Sequence, residues 1–194
     1  MVYNINFSYH IFQRNHQQYD VCGDSYFVDQ REDYAICVVA DGLGSGPHAH
    51  DSAQIVTNVV QTYGHQPLDQ LMLLCNERLK LKRGAVASVM RIHFARQEIQ
   101  YCGIGNITCY VIHHDTIKRP RTHYGYLAGK TIRPFVETFK FTNGDRCFMH
   151  SDGVDVIDAA TLLNADAWQA LENDETDHYL LRKNDDQTYV MLQF

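Results

Sequence analysis

Two stretches of the sequence share one arrangement, in which a run of apolar residues ends in an aspartate followed by glycine. Asp41-Gly42 follows residues 35–40, and Asp152-Gly153 follows the run at residues 146–150. A carboxylate at the end of a buried strand is costly unless it meets a cation or strong hydrogen-bond donors. The glycine beside it has no Cβ and lets backbone approach a ligand closely. The pattern therefore favours an oxygen-rich site for a hard metal ion.

Two more aspartates share this context, since Asp24 lies beside Gly23 at a predicted strand start and Asp185 opens the last predicted strand. Carboxylates brought together repel one another unless cations lie between them, and an all-oxygen cluster suits Mg²⁺ or Mn²⁺. A pair of such ions can activate a water molecule for attack on phosphorus. The alternatives are a turn or a strand cap for any one aspartate, and Asp186 in place of Asp185.

Composition limits the class of protein. The 194 residues are 45% hydrophobic and 21% charged, which predicts one globular domain over residues 1–194. The net charge of −6, from 17 basic and 23 acidic residues, argues against a general nucleic-acid binder. Six cysteines without a CxxC pair argue against a zinc ribbon and fit a reducing compartment. The sequence has neither a signal-peptide pattern nor a membrane-spanning run, so we expect a cytoplasmic protein that makes no membrane contact.

The apolar periodicity predicts an α+β fold with antiparallel sheets. Spacings of three and four predict helices over Pro47–Tyr63 and residues 68–81, and residues 159–181 read as largely helical. Strands are predicted at residues 3–11, 25–28, 35–40, 85–94, 99–102, 107–113, 135–141, 146–150 and 188–194. Hairpin turns are predicted at residues 95–98, 103–106 and 143–145. Strands in runs joined by hairpins are typical of α+β proteins.

Seven motifs extend this interpretation to nearly the whole chain: GDSYFV, VVADGLGSG, GAVASVMRIHF, CGIGNITCYVI, GYLAGK, HSDGV and DDQTYVML. In these motifs and their order the chain resembles the PPM-type (type 2C) protein serine/threonine phosphatases. The resemblance implies a four-layer αββα sandwich with a metal site at one edge between two antiparallel sheets. Within the family, DGLGSG, GYLAGK and the short length resemble the feedback phosphatases of bacterial stressosomes.

The resemblance also implies roles for particular residues around two Mn²⁺ or Mg²⁺ ions. Asp41 would bridge both ions, and the Gly42 carbonyl would ligate the second. Asp152 and Asp185 would complete the first, while Asp24 would bind directly or through water. These four aspartates would form the catalytic centre. The implied substrates are phosphorylated STAS-domain scaffold proteins of a stressosome, whose dephosphorylation resets a stress signal. We expect the enzyme to be a monomer.

Two departures from the family pattern are visible. Many members carry an arginine shortly before the first acidic motif to hold the substrate phosphate, whereas here Arg14 lies ten residues before Asp24. Many members also have an aspartate where this chain has Asn106, and an amide is a weaker ligand for a hard cation, which weakens the case for a third ion. The chain is also too short for the extra flap segment of larger members. We therefore expect substrates to be selected by docking of a folded partner.

Two alternatives remain open at this stage. A non-catalytic regulator would keep the fold and bind the scaffold without turnover, and the missing arginine and Asn106 motivate it. A nucleotide-binding protein would use the glycine-rich turn at residues 42–46. That turn lacks the Lys-Ser/Thr ending of a P-loop, and this alternative leaves the later aspartates unexplained.

Overall fold

The apolar runs of the sequence form strands, and the two period-3.6 segments form helices that cover them. The structure is a computed structural model that describes residues 6–194, except for the side chain of residue 182. In chain order the elements are β1 (Ser8–Arg14), β2 (Asp24–Gln30), β3 (Tyr34–Gly42), α1 (Pro47–Tyr63), α2 (Leu68–Arg78), β4 (Ala85–His93), β5 (Glu98–Ile104), β6 (Thr108–His113), β7 (Thr116–Lys118), β8 (Glu137–Lys140), β9 (Arg146–His150), β10 (Val154–Val156), a 3₁₀-helix (Ala159–Leu163), α3 (Ala165–Glu172), β11 (Leu180–Arg182) and β12 (Gln187–Gln193).

Ten of these strands form two five-stranded antiparallel sheets. Sheet I has the order β1-β12-β9-β6-β7 and sheet II the order β2-β3-β4-β5-β8, while β10 and β11 pair separately. One apolar core lies between the sheets; α1 and α2 pack on the outer face of sheet II, and the 3₁₀-helix and α3 pack on the outer face of sheet I. Strands β3 and β4 are apolar along almost their whole length because both faces of sheet II are covered. The predicted α+β four-layer sandwich is confirmed.

The predicted hairpin at residues 95–98 is confirmed, since β4 and β5 pair directly. The other two predicted hairpins are wrong. Residues 103–106 connect β5 in sheet II to β6 in sheet I, and residues 143–145 likewise connect β8 to β9. Both connections contain a glycine with positive φ, as a turn requires. A tight turn indicates that the chain reverses and does not determine which sheet the next strand joins.

Some predicted bounds also change. The helical stretch at residues 159–181 is too long, because α3 ends at Glu172 and β11 pairs with β10. Helix α2 ends at Arg78, and its predicted end at residue 81 is wrong. The short edge strand β7 lies in a segment where no strand was predicted. Of the first predicted strand, residues 3–5 lie outside the described residues, and β1 runs from Ser8 to Arg14. None of the helices in residues 6–194 combines the length and the apolar character needed to cross a bilayer.

Candidate metal centre

The predicted aspartates meet at one edge of the sandwich, where each sheet contributes two. Asp24 and Asp41 lie directly opposite each other across β2 and β3 in sheet II. Asp152 follows β9 and Asp185 precedes β12, which are neighbouring strands of sheet I. Asp41, Asp152 and Asp185 line one cavity of about 660 Å³. The packing of the two sheets therefore brings together four carboxylates that are far apart in the sequence.

The glycine of each Asp-Gly pair has a definite steric role. A Cβ at Gly42 would lie 1.9 Å from the Ala49 carbonyl oxygen, so glycine lets α1 pack directly on the end of β3. A Cβ at Gly153 would lie 1.9 Å from the Asp186 carbonyl oxygen, so glycine lets the segment after β9 contact the segment before β12. The repeated Asp-Gly pattern thus reflects two close backbone contacts that hold the aspartates in place.

Hydrogen bonds orient two of the carboxylates. The Ser151 hydroxyl donates to Asp24 Oδ2 at 2.6 Å and accepts from the Thr188 amide at 3.0 Å, which ties Asp24 of sheet II to β12 of sheet I. The Asn106 amide donates to Asp152 Oδ2 at 2.7 Å. Asn106 therefore acts here as a donor that positions a carboxylate. Ser151 was not predicted as a site residue, and only its place in the HSDGV motif could have indicated it.

Burial, together with repulsion between carboxylates, raises the pKa values of three aspartates in this cluster. Burial raises the pKa of Asp24 from 3.8 to about 7, although hydrogen bonds from Ser151 and Thr188 lower it. Burial raises the pKa of Asp41 from 3.8 to about 9, with the charges of the four neighbouring aspartates acting in the same direction. Burial and the charge of Asp185 raise the pKa of Asp152. Each shift disfavours the ionised carboxylate, first because the group is buried and further because other carboxylates lie nearby.

The donor set fits hard cations. Oδ1 of Asp24 and Oδ2 of Asp186 are buried and accept no hydrogen bond of ordinary length from residues 6–194. Within the same residues, no three His, Cys, Asp or Glu side chains already surround a common point as a closed metal site would. The open arrangement is expected of like charges, and Ser151 and Asn106 hold one oxygen each of Asp24 and Asp152. The acidic oxygens suit Mg²⁺ or Mn²⁺, and the individual ligand roles, including that of the Gly42 carbonyl, stay predictions.

Asp185 and Asp186 face different surroundings. Asp185 is half-buried and lines the cavity. Asp186 is buried, accepts a hydrogen bond from the His16 amide at 2.9 Å through Oδ1, and directs Oδ2 toward Gly23. The placement favours Asp185 for contact with a bound ion and Asp186 for the inner side of the cluster.

The rest of the cavity wall was not predicted. Its apolar part comes from Leu43, Val86, Tyr124 and Tyr126, and its polar part includes Ser45, Asn106 and Thr122. Two of these side chains belong to the segment around GYLAGK, so this motif supplies part of the wall. A cavity with an acidic end and an apolar wall can hold a phosphorylated side chain and the surface around it.

Arg14, which is ten residues from Asp24 in the sequence, lies close to the site. Arg14, at the end of β1, lines a hollow of about 300 Å³ together with Lys183 and Asp185. The Lys183 ammonium donates to the Asp152 carbonyl at 2.7 Å and pairs with Asp155 at 2.9 Å. Arg14 is ten residues from Asp24 in the sequence, yet it lies near the acidic cluster because β1 and β12 are neighbouring strands.

Comparisons with known proteins agree with this geometry. Residues 31–193 match the family model described as Stage II sporulation protein E (SpoIIE). The phosphoserine phosphatase RsbX of Bacillus subtilis is 31% identical over 185 residues, which are 94% of this chain and 92% of RsbX. A crystal structure of RsbX in complex with magnesium superimposes with a TM-score of 0.89 at 30% identity, covering 96% of this chain and 94% of that one. A chain from a study of the bacterial stressosome has a TM-score of 0.86 at 25% identity, covering 97% and 100%.

Proposed function

Because this chain belongs to the SpoIIE family of PPM-type phosphatases, we propose that it is a metal-dependent phosphoserine or phosphothreonine phosphatase acting on a partner protein. One observation carries the proposal. Asp41, Asp152 and Asp185 line one cavity with Asp24 buried opposite Asp41, and burial and the neighbouring carboxylates raise the pKa of Asp41 to about 9. Such a cluster is stable in ionised form only when cations balance it. The family relationship predicted from the motifs is confirmed by the match over residues 31–193.

The proposed chemistry assigns each group a task. Two Mg²⁺ or Mn²⁺ ions, held by Asp24, Asp41, Asp152, Asp185 and the Gly42 carbonyl, would supply Lewis-acid stabilisation of phosphate oxygens and an activated water. This chain's own residues fix the arrangement. Ser151 and Asn106 orient the carboxylates that they contact. Aligned carboxylates need no reorganisation during the reaction, which lowers its barrier.

Positive charge beside the cluster supports a phosphorylated substrate. Arg14 and Lys183 line a hollow that shares Asp185 with the main cavity. A guanidinium group matches phosphate geometry in a bidentate manner. We propose that Arg14 holds phosphate oxygens that point away from the acidic end.

The substrate class follows from the relatives. RsbX is named a phosphoserine phosphatase, and another similar chain comes from a study of the stressosome. We propose that this chain dephosphorylates STAS-domain scaffold proteins of a stressosome as negative feedback on a stress signal. We also propose that it acts in the cytoplasm, because its six cysteines are all unpaired, as expected in a reducing compartment. A monomeric enzyme stays a prediction.

A non-catalytic regulator is the competing function, and its main motive is weakened. It rested on a missing arginine and on Asn106. Arg14 lines a hollow beside Asp185, and Asn106 has a positioning role. The nucleotide-binding alternative gains no support either, because it gives no role to Asp152 and Asp185, which line the same cavity as residues 43–45.

Phosphate release from an aryl phosphate tests the proposed chemistry. We expect activity with Mn²⁺ or Mg²⁺, none with chelator, and a loss of at least roughly 100-fold in Asp41→Ala. Asp33→Ala is the matched control, since Asp33 lies exposed in the turn between β2 and β3. A phosphorylated STAS-domain scaffold protein is the second substrate. Turnover of neither substrate with any metal would favour the non-catalytic regulator.

A further inference from the structure

Positive charge is concentrated in two short segments of this acidic chain. Residues 78–83 and 118–133 contain no Asp or Glu, yet they hold nine of the 17 basic residues: Arg78, Lys80, Lys82, Arg83, Lys118, Arg119, Arg121, Lys130 and Arg133. The rest of the chain contains the other eight basic residues and all 23 acidic ones. The net charge of −6 therefore hides a strongly uneven distribution.

The structure brings parts of these two segments together beside the cavity. Asn76 of α2 accepts hydrogen bonds from the amides of Ala128 and Gly129 at 3.0 and 2.9 Å and donates to the Lys130 carbonyl at 2.7 Å. Gly129 passes so close to Lys80 that a Cβ on the glycine would lie 2.9 Å from the lysine Cβ. The loop that carries Tyr124 and Tyr126 into the cavity wall is thereby fastened to the turn after α2.

The same turn also contacts the glycine-rich segment, which forms another part of the cavity wall. The Arg83 guanidinium donates to the Ser45 carbonyl at 3.4 Å, and a Cβ on Gly44 would lie 2.8 Å from it. Gly44 and Ser45 both line the cavity. We use the name basic rim for Lys80, Lys82, Arg83 and Lys130, all four of which are exposed.

The cations of the basic rim are not neutralised by carboxylates. None of them takes part in an ion pair in the part of the chain that the structure describes, whereas Arg121 pairs with Glu137 at 2.7 Å. Asp51 lines a hollow together with Lys82 and Arg83 but forms no ion pair with either of them. Unpaired cations beside a phosphatase cavity are available to a partner.

Two exposed apolar side chains accompany the basic rim. Leu81 and Tyr124 are each 96% exposed, far more than any other large apolar side chain of residues 6–194. Leu81 also adopts φ +67, a left-handed conformation that glycine or asparagine would adopt at lower cost. A leucine that is strained and makes no packing contribution to the fold points to a role outside it.

We propose that the basic rim, together with Leu81 and Tyr124, is the docking surface for a folded phosphoprotein whose surface around the phosphorylated residue is acidic. This inference rests on the proposed function and names the chemistry of the substrate. The carboxylates in the cavity would repel an acidic partner. The basic rim offsets this repulsion during the initial encounter of the two proteins. The exposed side chains of Leu81 and Tyr124 then bury apolar surface against the partner, as interface anchors do.

Two variants test the surface without touching the cavity wall. Lys82→Glu reverses one rim charge, and Arg96→Glu is the matched control because Arg96 is exposed in the β4–β5 turn. Leu81→Gly removes the exposed apolar side chain, and glycine adopts the positive φ of this position without strain, so this variant should fold at least as stably as the wild type. The substrates are a phosphorylated STAS-domain scaffold protein and a small aryl phosphate, whose size keeps it within the cavity.

We expect Lys82→Glu and Leu81→Gly to lower kcat/KM for the phosphoprotein roughly fivefold to tenfold at low salt, with aryl phosphate turnover within about twofold of wild type. The Lys82→Glu effect should shrink at 0.5 M salt, where the Debye length falls to a few ångströms, about 4 Å. The Leu81→Gly effect should persist. Binding of the same phosphoprotein to an Asp41→Ala background should weaken by the same factors.

The two proposals fail in different ways. Phosphoprotein turnover that is equal in Lys82→Glu and Arg96→Glu would overturn the docking surface and leave the phosphatase assignment intact. Binding that depends on the rim without any turnover would support the surface and overturn the phosphatase. A wild type that neither binds nor dephosphorylates the scaffold protein would overturn the surface as proposed, whatever the aryl phosphate result.

Discussion

Replacing the ionisable side chain at the centre of the cluster by a neutral one should stabilise the metal-free protein while abolishing activity. Asp41 is the carboxylate on which the other four aspartates act, and burial with their charges raises its pKa from 3.8 to about 9. A group whose pKa is raised in the folded state contributes its stability below the unfolded pKa and loses it as the pH rises through the folded pKa. Metal-free wild type should therefore become less stable between pH 4 and pH 9. Asp41→Asn removes this dependence.

The size of the effect follows from that pKa range. At pH 7.5 Asp41 is ionised in the unfolded chain and protonated in the folded protein. Protonating the carboxylate costs about 1.36 kcal/mol for each pH unit above its unfolded pKa of 3.8. The upper limit is about 5 kcal/mol. The neighbouring aspartates share protons and the asparagine amide needs partners of its own, so we expect about 2 kcal/mol. For a chain of 194 residues this corresponds to about 4–8 °C in Tm.

Thermal unfolding in EDTA at pH 7.5 and 5.5 measures the effect. The Tm advantage of Asp41→Asn should fall to less than half at pH 5.5, because this pH lies less than half as far above the unfolded pKa of 3.8 as pH 7.5 does. Asp33→Asn is the control, since Asp33 is exposed. Wild type should gain Tm when Mg²⁺ or Mn²⁺ is added, and the variant should gain little. A variant that is less stable than wild type in EDTA at pH 7.5 would refute the argument that Asp41 lies in a crowded anionic cluster.

Three further predictions concern groups around the cluster. Ser151→Ala removes the 2.6 Å hydrogen bond to Asp24 and should weaken Mn²⁺ binding by roughly tenfold in calorimetry, with an unchanged circular dichroism spectrum. Gly153→Ala places a Cβ 1.9 Å from the Asp186 carbonyl oxygen and should cost roughly 3 kcal/mol in urea unfolding; a loss below about 1 kcal/mol would show that this contact relaxes freely. Arg14→Ala should raise KM for an aryl phosphate about fivefold with little change in kcat, and an unchanged KM would exclude Arg14 from phosphate binding.

Local sequence patterns predicted the elements more accurately than the connections between them. Helix α1 has the predicted bounds, Pro47–Tyr63, because its apolar residues recur at three and four and proline stands at its first position. The turns at residues 103–106 and 143–145 were assigned to hairpins, and both instead cross between sheets. The sheet that a strand joins is decided by packing, which places β6 and β9 in sheet I. The sequence of a three- or four-residue turn does not determine that choice.

The candidate site shows the same division. Resemblance to a family placed Asp24, Asp41, Asp152 and Asp185 in one centre, and the fold brings them to one edge. It could not supply Ser151, whose role depends on a contact 127 positions away in the chain. Nor could it supply Arg14, whose distance from the site is set by the pairing of β1 with β12. These contacts belong to the tertiary structure and leave no local pattern in the sequence.

Cation binding and the stability of the sandwich are linked in this architecture. Each sheet contributes two carboxylates to the same edge, and their repulsion acts to separate the sheets there. The hydrogen bond from Ser151 of sheet I to Asp24 of sheet II opposes that separation, as does the apolar core between the sheets. A ligand that binds only the folded state stabilises it by mass action, so ions bound between the sheets would stabilise both their packing and the catalytic centre. The acidic edge that we propose for phosphate chemistry would therefore also be a place where bound metal stabilises the fold.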